Sequence, residues 1–332
     1  MISAQDIAAS PTWLPLESEG EGSLRLVRLD AAGYRAASFL DRRILQARVP
    51  QAVCPTAAVA AAAASLAARA HYIFHTGHVG STLISRLVGE CPQFFSVREP
   101  AILGAIATHP ARALGSLDLR AVLGLLARTW HPEQRSIVKA TSFVSEIAGP
   151  ILETSPDSMA VLMFSPALAY LRCILGGPNS RIESRALAAA RLARLRARLG
   201  PESRLPEPRS EGEWIAMSWL CEMACLRQAA ARFDSRIVWV DFDAFLSAPV
   251  HGLTALLCAL GAAPSQDEVE RLVSGPIMRR YSKAPEHAYD AALRRLVLES
   301  ADREHAAEIR SGMQWLAGLA GLHLLVDAVL RG

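Results

Sequence analysis

The chain has 332 residues, of which 51% are hydrophobic and 20% charged, enough to bury a large core in one domain or two. The formal net charge of +3 is too small for a general nucleic-acid binder.

Six cysteines without C-x-x-C spacing are typical of buried thiols in a reducing compartment. The amino terminus lacks a basic segment followed by an apolar core, so we expect a cytoplasmic protein. We expect no membrane span either, because residues 57–70 are too few and 313–330 carry polar side chains.

Lysine is rare in this chain. Of the 35 basic residues, only Lys139 and Lys283 are lysines, and all others are arginines. An ammonium is a compact point charge that the planar guanidinium does not replace in a tight anion pocket. The two lysines are therefore either chance survivors of an arginine-rich composition or markers of positions that need such a charge.

Periodicity predicts helices and strands in alternation after an amino-terminal segment that contains one short strand, 23–29. The predicted strands continue with 72–75, 94–97, 136–139, 159–164 and 237–240. The predicted helices cover 57–70, 82–90, 111–129, 168–175, 182–199 and 213–233, and a buried helix is expected at 313–330.

Continuous apolar strands separated by helices predict a parallel sheet covered on both faces. We expect a three-layer α/β/α fold with a central parallel sheet of about five strands and extra amino- and carboxy-terminal helical segments. Residues 1–56 are interpreted as an extension packed on the core. Residues 57–290 are interpreted as the main domain, and 291–332 as further helices of that domain.

One segment carries a chemical motif, the stretch 72–86. A buried strand ends, Gly77 and Gly80 follow, and Ser81-Thr82 opens a helix. Glycines let the backbone approach a phosphate, and the first N–H groups of a helix point at the ligand. The G-x-x-x-x-G-K-[ST] spacing of common ATPases and kinases is not met, and His78 stands where a lysine is expected.

Two other interpretations of this segment remain open. The glycines can be incidental to a strand–turn–helix connection. A metal site at His71, His75 and His78 is disfavoured, because His71 and His75 lie about 13 Å apart along one face of a strand. We therefore expect no metal.

This loop resembles the 5′-phosphosulfate loop of P-loop sulfotransferases that use 3′-phosphoadenosine 5′-phosphosulfate (PAPS). It is most similar to the bacterial branch with a His-Thr-x-x-x-x-Ser-Thr-Leu loop, and the resemblance covers residues 71–285. It implies transfer of a sulfuryl group to a hydroxyl of a small acceptor without a metal. The cofactor-binding residues that it implies in the loop are His75, Thr76, Gly77, Val79, Gly80, Ser81 and Thr82.

The resemblance also implies roles for residues farther along the chain. Glu99 matches the catalytic base, Lys139 lies where relatives place a lysine near the sulfuryl group, and His78 stands at the position of the loop cation. Ser282 and Lys283 match a segment that contacts the cofactor. Relatives hold the 3′-phosphate with an arginine and, eight residues on, a serine; Ser165 and Arg172 can supply these donors in swapped order.

Two rival functions remain open, a degenerate phosphate-binding partner module and an atypical P-loop kinase. A kinase needs a magnesium-holding aspartate, for which Asp241 and Asp243 are the candidates. The arginine-rich helix is interpreted either as a solvated face paired with Glu183 and nearby acids or as a lid for an anionic ligand. Its arginines are Arg181, Arg185, Arg191, Arg194, Arg196 and Arg198.

Overall fold

The centre of the molecule is a five-stranded parallel sheet. The computed structural model describes residues 2–20, 22–109, 117–282, 284 and 286–331. The sheet has the order β5-β6-β4-β7-β8. Its strands are β4 (His71–His75), β5 (Phe94–Arg98), β6 (Arg135–Lys139), β7 (Ala160–Phe164) and β8 (Ile237–Asp241).

Helices cover both faces of this sheet, because parallel strands need crossover connections. Four of the strands are almost entirely buried, whereas the edge strand β8 is half-buried along its whole length. The three-layer α/β/α prediction is confirmed. The helices are α1 (Ala4–Ala9), α2 (Ala31–Ala36), α3 (Thr56–Ala63), α4 (Ser81–Gly89), α5 (Ala101–Thr108), α6 (Leu119–Leu126), α7 (Ala148–Thr154), α8 (Ala167–Leu175), α9 (Pro178–Leu199), α10 (Glu211–Phe233), α11 (Phe242–Ser247), α12 (Pro249–Ala259), α13 (Gln266–Ser274), α14 (Ala291–Glu304), α15 (Ala306–Ala317) and α16 (Leu324–Arg331).

The amino-terminal segment contains a second, antiparallel sheet of three strands, β1 (Trp13–Ser18), β2 (Ser23–Arg28) and β3 (Gln51–Pro55). The strand predicted at 23–29 is confirmed as β2. The two flanking strands were not predicted. In β1 a proline and a register shift after it interrupt the alternation of apolar and polar residues, and β3 is a largely exposed edge strand.

Two arginines of the core hold the carboxyl end of α2. Buried Arg98 donates to the carbonyls of Tyr34, Arg35 and Ala37, and Arg86 donates to those of Arg35 and Ala36. Burial, reinforced by the nearby charge of Arg86, lowers the pKa of Arg98 to about 9. Cations at the negative end of a helix dipole fix that end in place.

Residue Leu40 ties the same segment to the turn after β5. Its amide donates to the carbonyl of Arg98 at 2.8 Å, and its carbonyl accepts from the amide of Ala101 at 3.0 Å. These two bonds lie on either side of Glu99 in the sequence. The amino-terminal segment therefore forms one wall of the turn that carries this carboxylate.

The arginine-rich helix α9 packs on α10 through ion pairs. Buried Arg191 and half-buried Arg194 both donate to the fully buried carboxylate of Glu222. The other pairs are Arg181 and Arg185 with Glu211, Arg194 and Arg198 with Glu146, and Arg196 with Glu207. The arginines are thus paired with nearby acids, as the first interpretation expected, and Glu183 lies 3.3 Å from the imidazole of His78.

Some of the helices end earlier than predicted. Helix α3 stops at Ala63 instead of residue 70, and a turn closed by the Leu66 amide on the Ala63 carbonyl follows. The single helix predicted at 313–330 is wrong, because α15 ends at Ala317 and α16 begins only at Leu324. Between them Gly321 adopts a left-handed φ of +79°, which no helix continues through. Of the helix predicted at 111–129, residues 111–116 lie outside the described part of the chain.

The lowered pKa of His71 predicts how the stability of the fold depends on pH. Its Nδ1 accepts the amide of Met159 at 3.0 Å, and burial, with the charge of Arg135 second, lowers its pKa from 6.5 to about 4. Between pH 6.5 and 4 the imidazole of His71 is protonated in the unfolded chain and neutral in the folded chain. The free energy of unfolding therefore falls as pH falls through this range. The difference corresponds to roughly 3 kcal/mol at full extent.

We expect His71→Asn, whose side-chain oxygen can take over the bond from Met159, to lose less stability than the native chain between pH 6.5 and 4. Urea unfolding across this range measures the difference. Parallel curves for the two proteins would show that His71 does not titrate in this way.

Candidate functional site

The predicted phosphate loop, residues 76–80, leaves the carboxyl end of the central strand β4 and enters α4 at Ser81. Three of its residues have positive φ, +92° at Gly77, +54° at His78 and +64° at Gly80. A Cβ at Gly80 would lie 2.0 Å from the ring of Phe242. Glycine at this position is therefore required both by the backbone and by the ring that covers it.

Three hydroxyls at this edge of the sheet are buried without a hydrogen-bond partner among the described residues, those of Thr76, Thr82 and Ser165. Thr76 follows β4 and Ser165 follows the adjacent β7, which pairs with β4 in parallel, and Thr82 lies in the first turn of α4. A buried hydroxyl without a partner costs free energy. Such a group is suited to bond an oxygen of a ligand at the loop.

His75 holds the beginning of the loop. Its Nδ1 accepts the amide of Gly77 at 2.9 Å, and its Nε2 lies 2.9 Å from the carbonyl oxygen of Ala140, which follows β6. The imidazole is buried, with 5% of the residue exposed. These two ring contacts are made with the backbone of the loop and of the neighbouring strand end.

Glu99 and Lys139, predicted for separate roles, form an ion pair. Glu99 directly follows β5, and Lys139 is the last residue of the neighbouring strand β6. The ammonium of fully buried Lys139 donates to Glu99 Oε1, and Thr141 Oγ1 donates to Glu99 Oε2 at 3.3 Å. The Glu99 amide also bonds the carbonyl of Lys139 at 2.6 Å. At φ +49°, Glu99 has a strained backbone, a feature that clusters at functional sites.

His78 is oriented by the first turns of α9. Its Nδ1 lies 3.2 Å from Ser180 Oγ, and its Nε2 lies 3.3 Å from a carboxylate oxygen of Glu183. The helix begins at Pro178, directly after Gly176-Gly177, and its first turns carry Ser180 and Glu183 to this ring. The acid that accompanies the predicted loop cation was not foreseen from the sequence.

Arg43 of the amino-terminal segment is a further charge near this site that sequence reasoning missed. Its pKa is raised first by its hydrogen bonds to Asp41 and also by the charges of Glu99 and Glu183. The guanidinium carbon lies 3.4 Å from the ring centroid of Phe39. No motif marks this residue, because its position depends on the pairing of Leu40 with the β5 turn.

Other predicted residues bond to partners outside the loop or lie outside the described residues. Arg172 Nε donates to Asp302 at 2.7 Å, so its guanidinium is engaged with α14. Ser282 offers its backbone carbonyl to Arg86 and Ser38, beside a cavity of about 280 Å³. Lys283 lies outside the described residues.

The acidic turn at the end of β8 makes structural contacts through one oxygen of each aspartate. Asp241 Oδ1 accepts the amides of Asp243 and Ala244 at the start of α11, and Asp243 Oδ1 accepts two bonds from Arg294. The Arg294 guanidinium also lies 5.0 Å from the ring of Phe242, which covers Gly80. Each of the two aspartates that a magnesium-dependent kinase would need thus has partners at its Oδ1 atom, while Asp243 Oδ2 is buried without a hydrogen-bond partner among the described residues.

The described residues contain neither a metal-ligand cluster nor a membrane-spanning helix. No group of three or more His, Cys, Asp and Glu side chains in these parts of the chain is arranged to hold a metal ion. Within the same ranges, no helix combines the length and apolar character needed to cross a bilayer.

No family model and no curated protein matches this chain in sequence. The chain is similar in structure to a sulfotransferase domain from the curacin biosynthetic pathway, at 14% identity and a TM-score of 0.46 over 76% of this chain and 97% of that one. It is also similar to a mouse sulfotransferase complexed with PAP, at 10% identity and a TM-score of 0.43 over 82% and 93% of the two chains. A third similar structure is the sulfotransferase domain of the Synechococcus PCC 7002 olefin synthase, at 14% identity and a TM-score of 0.41 over 76% of this chain and 94% of that one.

Proposed function

We propose that this chain is a sulfotransferase that uses PAPS and transfers its sulfuryl group to a hydroxyl of a small acceptor. The observation that carries the proposal is the set of buried, unpartnered hydroxyls of Thr76, Thr82 and Ser165 around the phosphate loop. Hydroxyls and the free amides of a helix start are the donors that bind phosphate and sulfate oxygens. The motif resemblance supplies the identity of the donor molecule.

The buried hydroxyls of the site are suited to bind the phosphosulfate group of PAPS. Thr76, Thr82 and Ser165 would hold its oxygens, together with the first amides of α4. PAPS supplies an activated sulfuryl group whose bond to the 5′-phosphate oxygen breaks as a bond to the acceptor oxygen forms. Arg172 is turned toward Asp302 and is not assigned to the 3′-phosphate.

Glu99 is the group that accepts the proton of the acceptor hydroxyl in this proposal. Each carboxylate oxygen can accept more than one hydrogen bond. The bonds from Lys139 and Thr141 therefore do not use all the lone pairs of Glu99, and one remains to accept the proton of the acceptor substrate's hydroxyl. Base assistance of this kind is typically worth ~10²–10⁴-fold in rate. Lys139, held beside Glu99, places its positive charge where it can oppose negative charge that develops on the oxygens around sulfur.

A second function is favoured by one observation, that both proposed cations already have carboxylate partners. Lys139 pairs with Glu99 and His78 pairs with Glu183. This arrangement favours a phosphate-binding partner module without transfer activity. The two functions share the loop and differ in whether Glu99 and Lys139 exchange partners when ligand binds.

Substitution of the unpartnered hydroxyls tests the binding site. We expect Thr76→Val and Thr82→Val to leave stability unchanged or raise it by up to about 1 kcal/mol, because each removes an unsatisfied buried group. The same changes should weaken binding of adenosine 3′,5′-bisphosphate by about 10–100-fold, the value of a bond to a charged group. Thermal-shift titrations measure both effects, since a ligand of the folded state raises Tm.

Ser158→Ala is the matched control. Its hydroxyl is also buried and unpartnered, but Ser158 precedes β7 and so lies at the opposite end of the sheet. We expect unchanged bisphosphate binding in this variant. Stabilisation of the native chain by ATP with magnesium, and not by the bisphosphate, would instead establish a kinase-type site; no response to either would remove the proposal.

A further inference from the structure

We infer that His75 is a positioning residue, which fixes the phosphate loop through its backbone rather than by contacting the co-substrate. The inference rests on the proposed function for the identity of the ligand. It stands on the geometry of the ring, whose two nitrogens lie 2.9 Å from the Gly77 amide and 2.9 Å from the Ala140 carbonyl.

The two partners select one form of the imidazole. A carbonyl oxygen only accepts, so Nε2 carries the hydrogen in this contact. The amide of Gly77 only donates, so Nδ1 presents its lone pair. Only the neutral, Nε2-protonated tautomer makes both bonds. His75 is 5% exposed, so water is a poor substitute for either partner.

The ring thereby joins the loop to the strand that carries Lys139. Ala140 follows Lys139 directly, and its amide bonds the carbonyl of Ile73 in β4 at 3.0 Å. The imidazole extends this pairing beyond the last residue of β4 and reaches the amide of Gly77, where φ is +92°. The start of the loop is thus set relative to the ammonium beside Glu99.

This contact explains how a loop with three positive-φ residues can present its donors in a fixed geometry. Small displacements of binding groups cost large factors in affinity and rate. A histidine that holds the first turn supplies that fixation without occupying the space of the ligand. His75 accordingly acts on the ligand through Gly77 and not by its own hydrogen bonds.

Two substitutions separate the ring nitrogens. In His75→Asn the side-chain oxygen stands at the position of Nδ1 and can accept from Gly77. In His75→Gln the amide group reaches the position of Nε2 and can donate to Ala140. We expect the Asn variant to bind adenosine 3′,5′-bisphosphate about tenfold more tightly than the Gln variant, the equivalent of one hydrogen bond.

Two readouts need no ligand. Amide hydrogen exchange at Gly77 should stay slow in His75→Asn and become fast in His75→Gln, while exchange in the middle of β4 is equal in both. In the native protein, ¹⁵N correlation spectra of the imidazole should show the Nε2-protonated tautomer. Equal exchange at Gly77 in the two variants, or a ring protonated at Nδ1, would overturn the inference.

The design keeps the two hypotheses apart. If the native protein does not bind the bisphosphate, the proposed function fails, and exchange at Gly77 still decides the role of His75. If the native protein binds it and both variants bind equally while Gly77 exchange differs, His75 fixes the loop without influencing the site, and the inference is wrong.

Discussion

We expect Lys139→Met to lower the free energy of unfolding by about 3–5 kcal/mol, the typical cost of removing one partner from a buried ion pair. Lys139 is fully buried, and the side chain of its partner Glu99 is 10% exposed. The substitution leaves a carboxylate in a site that water barely reaches.

The double variant Glu99→Gln with Lys139→Met is the decisive comparison. It contains no unpaired charge, and replacing a whole buried pair is often nearly neutral for stability. We therefore expect it to regain most of what Lys139→Met loses. Urea unfolding of the native chain, both single variants and the double variant closes the cycle. Additive losses would show that Glu99 and Lys139 do not interact energetically.

The second large effect is expected at Glu222. Glu222→Leu removes the carboxylate that accepts from Arg191 and Arg194, and two guanidinium groups between α9 and α10 lose an acceptor. The carboxylate is fully buried and Arg191 is 4% exposed. We expect a loss of about 3–5 kcal/mol in unfolding free energy.

The control for Glu222 is Glu207, which pairs with another arginine of α9. Arg196 pairs with Glu207, and both side chains are about half exposed, 48% and 55%. Exposed pairs are typically worth ~0–1 kcal/mol, so Glu207→Gln should change stability little. Similar losses for Glu207→Gln and Glu222→Leu in chemical denaturation would contradict the assignment of the stability to the buried part of the network.

The central sheet could be predicted because its strands are short apolar runs with little ambiguity. Tyr72, Ile73 and Phe74 precede the glycines of the loop, and both signals are local in the sequence. The strands β1 and β3 had no such signal, since each depends on pairing with β2. The break between α15 and α16 was missed, because the apolar pattern continues across Gly321.

Within the site, the sequence indicated which residues to consider and not how they pair. Glu99 and Lys139 were expected to act separately, and the alignment of β5 with β6 brings them into contact. The partnership of His78 with Glu183 depends on how α9 docks over the loop. Arg172 was considered as a phosphate ligand from its distance along the chain, yet its side chain is bonded to Asp302.

The pairing of Leu40 with Arg98 and Ala101 has a consequence for folding. It joins segments about sixty positions apart in the sequence, and long-range contacts of this kind form late because loop closure must precede them. The turn at Glu99 therefore acquires its final shape only when the amino-terminal segment has docked. The carboxylate and the wall beside it are expected to belong to one cooperative unit, which opens and closes together.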